Sequence, residues 1–65
     1  MGKFDRKYLV EFYLSNCVYG TETFDTLEQC EIFIIELHKN QSVEKYAFIE
    51  KINGTYSKLI KKGEE

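Results

Sequence analysis

The chain has 65 residues, of which 43% are hydrophobic and 31% charged, and its net charge at pH 7 is −2. Its five tyrosines and five phenylalanines are typical of one small folded domain and exclude a disordered segment. The sequence contains no run of about 18 apolar residues, which excludes a membrane-spanning helix.

Cysteine and histidine are too few for a structural metal site. Cys17, Cys30 and His38 cannot supply the four ligands of a zinc ion. The start of the chain is charged and lacks the apolar segment of a signal peptide. We therefore expect a cytoplasmic protein with free thiols and without a metal, a cofactor or a membrane anchor. Because so small a domain buries only about 60% of its unfolded surface, self-association is the remaining source of stability.

The first predicted element is a β-hairpin over residues 7–24. Its first strand alternates with the period of two that is typical of a half-buried strand. A three-residue loop would pair Tyr13 with Tyr19, whereas a two-residue loop would place Tyr19 beside Phe12. The sequence leaves both registers open. Gly20, in the middle of the second strand, indicates a bulge or the close approach of another backbone.

A helix over residues 27–39 is predicted next, because Thr26 and Gln29 have the spacing of a capping box. One stripe of this helix should face the core. It comprises Leu27, Cys30, Phe33, Ile34, Leu37 and His38. Ile32 and Ile35 fall outside the stripe and form a candidate secondary patch. Ile35 could still flank the core, but Ile32 has polar neighbours on the helical wheel.

A second hairpin is predicted over residues 43–62, with Asn53-Gly54 as its turn. This dipeptide is the strongest short-range hairpin signal, since a type I′ turn needs positive φ at both positions. A two-residue loop would pair Ile52 with Thr55, Phe48 with Leu59 and Ala47 with Ile60. In that register both faces of the hairpin are apolar. The face expected to pack on the helix carries Tyr46, Phe48, Ile52 and Leu59, and the other carries Ala47, Ile49, Tyr56 and Ile60.

The order of the elements predicts a single α+β domain, β-β-α-β-β, over residues 6–62, with frayed ends at 1–5 and 63–65. Its sheet should have four strands, mainly antiparallel, with the helix packed on one face. The other face would have no cover. We expect it to be the interaction surface, formed by Leu9, Tyr13, Tyr19, Ile49, Tyr56 and Ile60.

An uncovered apolar face rich in tyrosine indicates a protein-binding or regulatory module. Its partner would be a second copy, giving a homodimer, or a larger protein. The alternative is a nucleic-acid-binding module that combines the sheet aromatics with the lysines of the second hairpin. This alternative is less favoured, because the isoelectric point is near 5.4. The near balance of acids and bases also disfavours a nucleic-acid mimic.

Catalysis is not expected from this sequence, and neither is a small-molecule substrate. His38 lies near a helix end, Cys30 is at a core position, and no glycine-rich phosphate loop occurs. Whether Cys17 is reactive is left open, and Asn53-Gly54-Thr55 is interpreted as a turn instead of a glycosylation site. The element order is similar to that of many small accessory proteins of bacteria and their phages. That resemblance implies no functional residue.

Overall fold

Four strands and one helix make up the described part of the protein, residues 5–64 of a computed structural model. They are β1 (Arg6–Leu14), β2 (Tyr19–Phe24), α1 (Leu27–Asn40), β3 (Val43–Ile52) and β4 (Thr55–Glu64). The strands form one antiparallel sheet in the order β2-β1-β3-β4, and α1 packs on one of its faces. The predicted α+β fold is confirmed.

The last strand is longer than the sequence indicated. β4 continues to Glu64 because Gly63 pairs with Tyr46 of β3. Residues 63 and 64 therefore lie in a strand where a frayed end was expected. The same expectation for residues 1–4 and 65 falls outside the described residues.

The loop between β1 and β2 has three residues, and this fixes the register that the sequence left open. The Leu14 amide donates to the Val18 carbonyl at 2.8 Å, and Cys17 adopts a φ of 70° to reverse the chain. Tyr13 consequently pairs with Tyr19. Of the two alternatives, the three-residue loop is the one that forms.

Glycine in each edge strand makes room for an aromatic ring of a central strand. A Cβ at Gly20 would lie 2.7 Å from Cε2 of Phe12, whose ring lies across this position. At Gly63 a Cβ would lie 2.7 Å from the Tyr46 hydroxyl. Gly20 therefore marks neither a bulge nor a backbone contact, but the packing site of a side chain from the neighbouring strand.

The helix begins and ends close to its predicted bounds. The Gln29 amide donates to Thr26 Oγ1 at 3.2 Å, and Gln29 Oε1 accepts from the Thr26 amide at 3.3 Å, which completes the capping box. Five of the six stripe residues pack in the core or against it. The exception is His38, which is exposed in the last turn, with its ring 6.2 Å from that of Tyr46.

The centre of the core is small and joins the helix to the two central strands. Val10, Cys30, Ile34 and Phe48 form its buried cluster. Phe33 extends the cluster toward β2, since its ring centroid lies 5.6 Å from that of Phe12 and 5.3 Å from that of Phe24. Full burial of one such side chain contributes roughly 1.5–3 kcal/mol.

The second hairpin turns at Asn53-Gly54 as predicted, with φ values of 53° and 80°. The turn is also tied to the start of β1, because the Asn53 amide donates to the Asp5 carbonyl at 2.7 Å. Ile52 pairs with Thr55, as the two-residue loop requires. The next pair, Lys51 with Tyr56, keeps this register, and the predicted register is lost from Glu50 onward.

Two irregularities in β4 place Ile60 on the face opposite the predicted one. The register shifts between Glu50 and Lys51 and again between Phe48 and Ile49, so that β4 has an extra residue at each point. Phe48 therefore pairs with Lys61 and Ala47 with Lys62, in place of the predicted Leu59 and Ile60. Because a bulge re-aims the side chains of its strand, Ile60 packs against the core. Its assignment to the uncovered face was wrong.

Candidate interaction surface

The face of the sheet that points away from α1, here called the open face, has an apolar row across its centre. Directly paired residues of neighbouring strands project on the same face. Thr23, Leu9, Ile49 and Leu59 are paired in this way across all four strands. Leu9 and Ile49 are half-buried by their neighbours, and Leu59 is 47% exposed. The row presents aliphatic carbon that no described helix covers.

Five of the six predicted surface residues lie on the open face. Leu9 and Ile49 form the middle of the row, and Tyr13, Tyr19 and Tyr56 stand at its margins, all exposed. Tyr56 pairs with Lys51, which places it at the opposite end of the face from the other two tyrosines. The position predicted for Ile60 is occupied by Leu59, which the sequence reasoning had assigned to the helix side.

Tyr13 and Tyr19 form one corner of the open face, with ring centroids 4.8 Å apart. The Tyr19 hydroxyl donates to Glu11 Oε2 at 3.1 Å, and Lys45 Nζ lies 5.1 Å from the centre of the Tyr13 ring. Desolvation, followed by the hydrogen bond to Glu11, raises the pKa of Tyr19 above its ordinary value. The phenol therefore stays protonated, and both rings are held by neighbours before any partner binds.

Among the described side chains, the open face is positively charged although the whole chain carries −2. The register places Lys45, Lys51 and Lys62 on this face, together with Glu11, and the position paired with Lys45 is Glu64. Lys7 also belongs to it but forms an ion pair with Asp25. Most other acidic residues lie on the helix or on the opposite side of the sheet. The open face therefore has an excess of basic residues, although Lys58 and Lys61 pair with Glu50 and Phe48 on the helix side.

A shallow depression lies on this charged side of the apolar row. It has a volume of about 170 Å³ and is lined by Glu11, Tyr13, Lys45, Tyr46, Ala47, Lys62 and Gly63. The small Ala47 side chain creates the dip between two lysines on neighbouring strands. Such a depression has room for one side chain of a partner, and Lys45 and Lys62 line it together with the Glu11 carboxylate.

A buried carboxylate is the polar site that the sequence reasoning missed. Glu50 is only 8% exposed. Its Oε2 lies 3.3 Å from Arg6 Nε, and its Oε1 accepts from Ser57 Oγ at 3.0 Å. Both oxygens of the Glu50 carboxylate have partners, so this cluster stabilises the turn end of β3 and is not a reactive site. Strand alternation could have revealed it, since Glu50 shares the face of Phe48.

The remaining candidates for chemistry do not come together. Within residues 5–64 no group of three or more metal-ligating side chains occurs. Cys30 is buried, and burial raises the pKa of its thiol, whereas Cys17 is exposed at the tip of the first hairpin. Ile32 and Ile35, the secondary patch, are each 54% exposed on the helix. None of the described helices is both long enough and apolar enough to cross a bilayer.

Comparisons with known proteins identified no relative of this chain. No protein-family model matches the chain, and neither the curated proteins nor the solved structures gave a match.

Proposed function

We propose that this protein is a non-enzymatic protein-binding module of the cytoplasm, which docks its open face on an acidic surface of a larger partner. The observation that carries the proposal is the aliphatic row of Leu9, Ile49 and Leu59, bordered by tyrosines and lysines. Protein interfaces combine an apolar centre with a polar rim that excludes water, and tyrosine is common among their anchors. A regulatory or accessory role, in a bacterium or a phage, agrees with so small a module.

The charge of the open face favours an acidic partner over a second copy. Stacking two such faces would bring Lys45, Lys51 and Lys62 of one copy against those of the other. Like charges at an interface oppose association, whereas a carboxylate-bearing surface would be attracted and correctly oriented. We therefore favour docking on a larger protein over a homodimer formed through this face.

Nucleic-acid binding remains the second candidate, because the same lysines lie beside exposed tyrosines. Recognition of single strands, however, depends on aromatic rings that are free to stack on bases. The Tyr13 ring already packs on Tyr19 and beneath Lys45, and Tyr56 stands alone on an edge strand. The centre of the face is aliphatic, which suits a protein surface better.

A reducing compartment agrees with the state of the cysteines. Cys17 is exposed and Cys30 is buried, and both are free thiols. Proteins of oxidising compartments commonly use such residues in disulfides. This is the support for the cytoplasmic assignment.

Site-specific photo-crosslinking in the cells that make this protein tests the proposal. A photoreactive phenylalanine analogue replaces Tyr56, which is 60% exposed on the open face, or Ile35, which is 54% exposed on the helix. We expect an adduct with one acidic protein from position 56 and none with that protein from position 35. The Ile35 variant is the matched control, since its side chain has similar exposure on a different surface.

Each other outcome contradicts the proposal in a distinct way. An adduct of twice the chain mass would show that the open face binds a second copy. An adduct removed by nuclease would favour the nucleic-acid alternative. Equal labelling of many proteins from both positions, or no adduct at all, would show that the open face is ordinary exposed surface.

A further inference from the structure

The two edges of the sheet differ in how well they are protected against pairing with another strand. β4 has two register irregularities and carries Lys58, Lys61 and Lys62. Bulges and lysines are the usual means by which proteins block an edge strand. β2 has a regular register with β1, and its one charged residue is Glu22. In the described part of the chain, β2 is therefore the edge that is open to a further strand.

The hydrogen-bond alternation shows which backbone groups of β2 point outward. Leu14 and Val18 form a hydrogen-bonded pair next to the turn. In an antiparallel ladder such pairs alternate with non-hydrogen-bonded ones. Gly20, Glu22 and Phe24 therefore bond to β1, whereas the amides and carbonyls of Tyr19, Thr21 and Thr23 project from the free edge. They have the spacing that an added strand requires.

A groove between α1 and β2 adjoins this free edge on the helix side. It has a volume of about 330 Å³ and is lined by Phe24, Gln29, Ile32, Phe33 and Glu36. On a strand added to β2, the helix-facing side chain opposite Phe24 would lie at this groove. Ile32, which the helical pattern could not place in the core, forms one wall of this groove. Ile35 does not line it.

The charge at the groove is opposite to that of the open face. Glu22 projects toward the helix side of β2, and Glu36 lies at the groove, where Lys39 Nζ is 3.7 Å from its carboxylate. Pairing of two β2 edges from two copies would concentrate these acidic residues at one interface. A basic partner residue would instead be stabilised opposite Glu22.

We propose that the β2 edge and this groove bind an extended segment of a partner protein by strand addition. The segment carries a lysine or arginine opposite Glu22 and aliphatic residues two positions away on either side. Backbone bonds to Tyr19, Thr21 and Thr23 supply affinity, and the groove selects the side chains, as in other cases of strand addition. This surface is separate from the open face and does not depend on the function proposed for it.

Titration with the synthetic peptide Thr-Val-Thr-Lys-Thr-Val-Thr, blocked at both ends, tests the inference. Its palindromic sequence permits either strand direction. At saturation with the peptide, we expect the hydrogen-exchange rates of the Thr21 and Thr23 amides to fall by tenfold or more. These outward amides become hydrogen-bonded to the added strand. The amides of Glu22 and Phe24 are already bonded to β1 and should change little. A peptide with glutamate in place of lysine should bind at least tenfold more weakly.

Matched variants separate strand addition from nonspecific attraction. Thr21→Pro removes an outward amide and keeps every hydrogen bond to β1. An edge strand tolerates proline at such a position. This variant should abolish peptide binding. Thr21→Val keeps the amide and should bind normally. If Thr21→Pro does not fold, Ile32→Lys and Ile35→Lys provide the comparison, since both isoleucines are 54% exposed. Only Ile32→Lys should weaken binding, by tenfold or more.

Four results would overturn the inference. The first is no binding of the lysine peptide at millimolar concentration. The second is binding that protects the open face and leaves Thr21 and Thr23 unprotected. The third is equal weakening of peptide binding by Ile32→Lys and Ile35→Lys. The fourth is a dimer of the protein alone that Thr21→Pro dissociates, which would show that a second copy occupies the edge. A failure of crosslinking at Tyr56 would leave this inference untouched.

Discussion

Replacing Ile60 and Leu59 separately with glutamine tests the irregular register of β4. The two residues are neighbours on one strand, yet the bulges turn Ile60 to the core and leave Leu59 on the open face. A regular register, with Phe48 paired to Leu59, would reverse these assignments. Glutamine is used in both variants because it changes polarity without altering the charge of the face.

The magnitudes follow from burial. Complete burial of an isoleucine contributes roughly 1.5–3 kcal/mol, and Ile60 is mostly buried, so Ile60→Gln should cost about 1.5–2.5 kcal/mol. Leu59 is already 47% exposed, and the glutamine stem retains part of its contacts, so Leu59→Gln should cost about 0.5–1 kcal/mol. For a domain of this size, a difference of about 1 kcal/mol corresponds to roughly 4–8 °C in Tm.

Thermal unfolding followed by far-UV circular dichroism, with urea unfolding as a second measure, provides the assay. Ile60→Gln should melt several degrees below Leu59→Gln, and both should keep the wild-type spectrum at low temperature. Equal losses, or a larger loss for Leu59→Gln, would refute the bulged register and return Ile60 to the open face.

Three further predictions concern packing, capping and ionisation. Gly20→Ala should destabilise the fold by about 1–3 kcal/mol in urea unfolding, because the new Cβ overlaps the Phe12 ring. Adding Phe12→Leu to this variant should recover part of the lost stability. If the destabilising effects of the two substitutions simply add, the predicted overlap is contradicted. Thr26→Ala should cost about 1 kcal/mol through loss of the cap, whereas Thr26→Ser should cost much less. Burial raises the pKa of the Cys30 thiol, so the unfolded chain ionises first, and stability should fall as the pH rises past about 8.5, the ordinary pKa of a thiol. A Cys30→Ala variant should lose less over the same range, and an identical slope would contradict the assignment.

Local signals in the sequence were sufficient for the elements and their order. The Thr26–Gln29 capping box and the Asn53-Gly54 turn are determined by residues close in the chain, and both form as predicted. Strand alternation also placed Leu9 and Ile49 correctly on the uncovered face, because a regular ladder keeps side chains in step.

The register of β4 could not be predicted, because bulges depend on packing between distant residues. The hairpin turn fixes only the pairs beside it, and the two extra residues enter farther along the strand. The exchange of Ile60 for Leu59 follows from them. The basic excess of the open face could not be predicted for the same reason. Its lysines come from β1, β3 and β4, and only the assembled register brings them together.

Reversing two charges of the open face and measuring the crosslinked adduct from position 56 tests whether an acidic partner docks on this face. Lys51→Glu and Lys62→Glu leave the aliphatic row intact but convert the face from basic to acidic. If an acidic partner docks there, the yield should fall at least tenfold, while the circular dichroism spectrum stays unchanged. An undiminished yield from the charge-reversed protein would contradict the proposed docking.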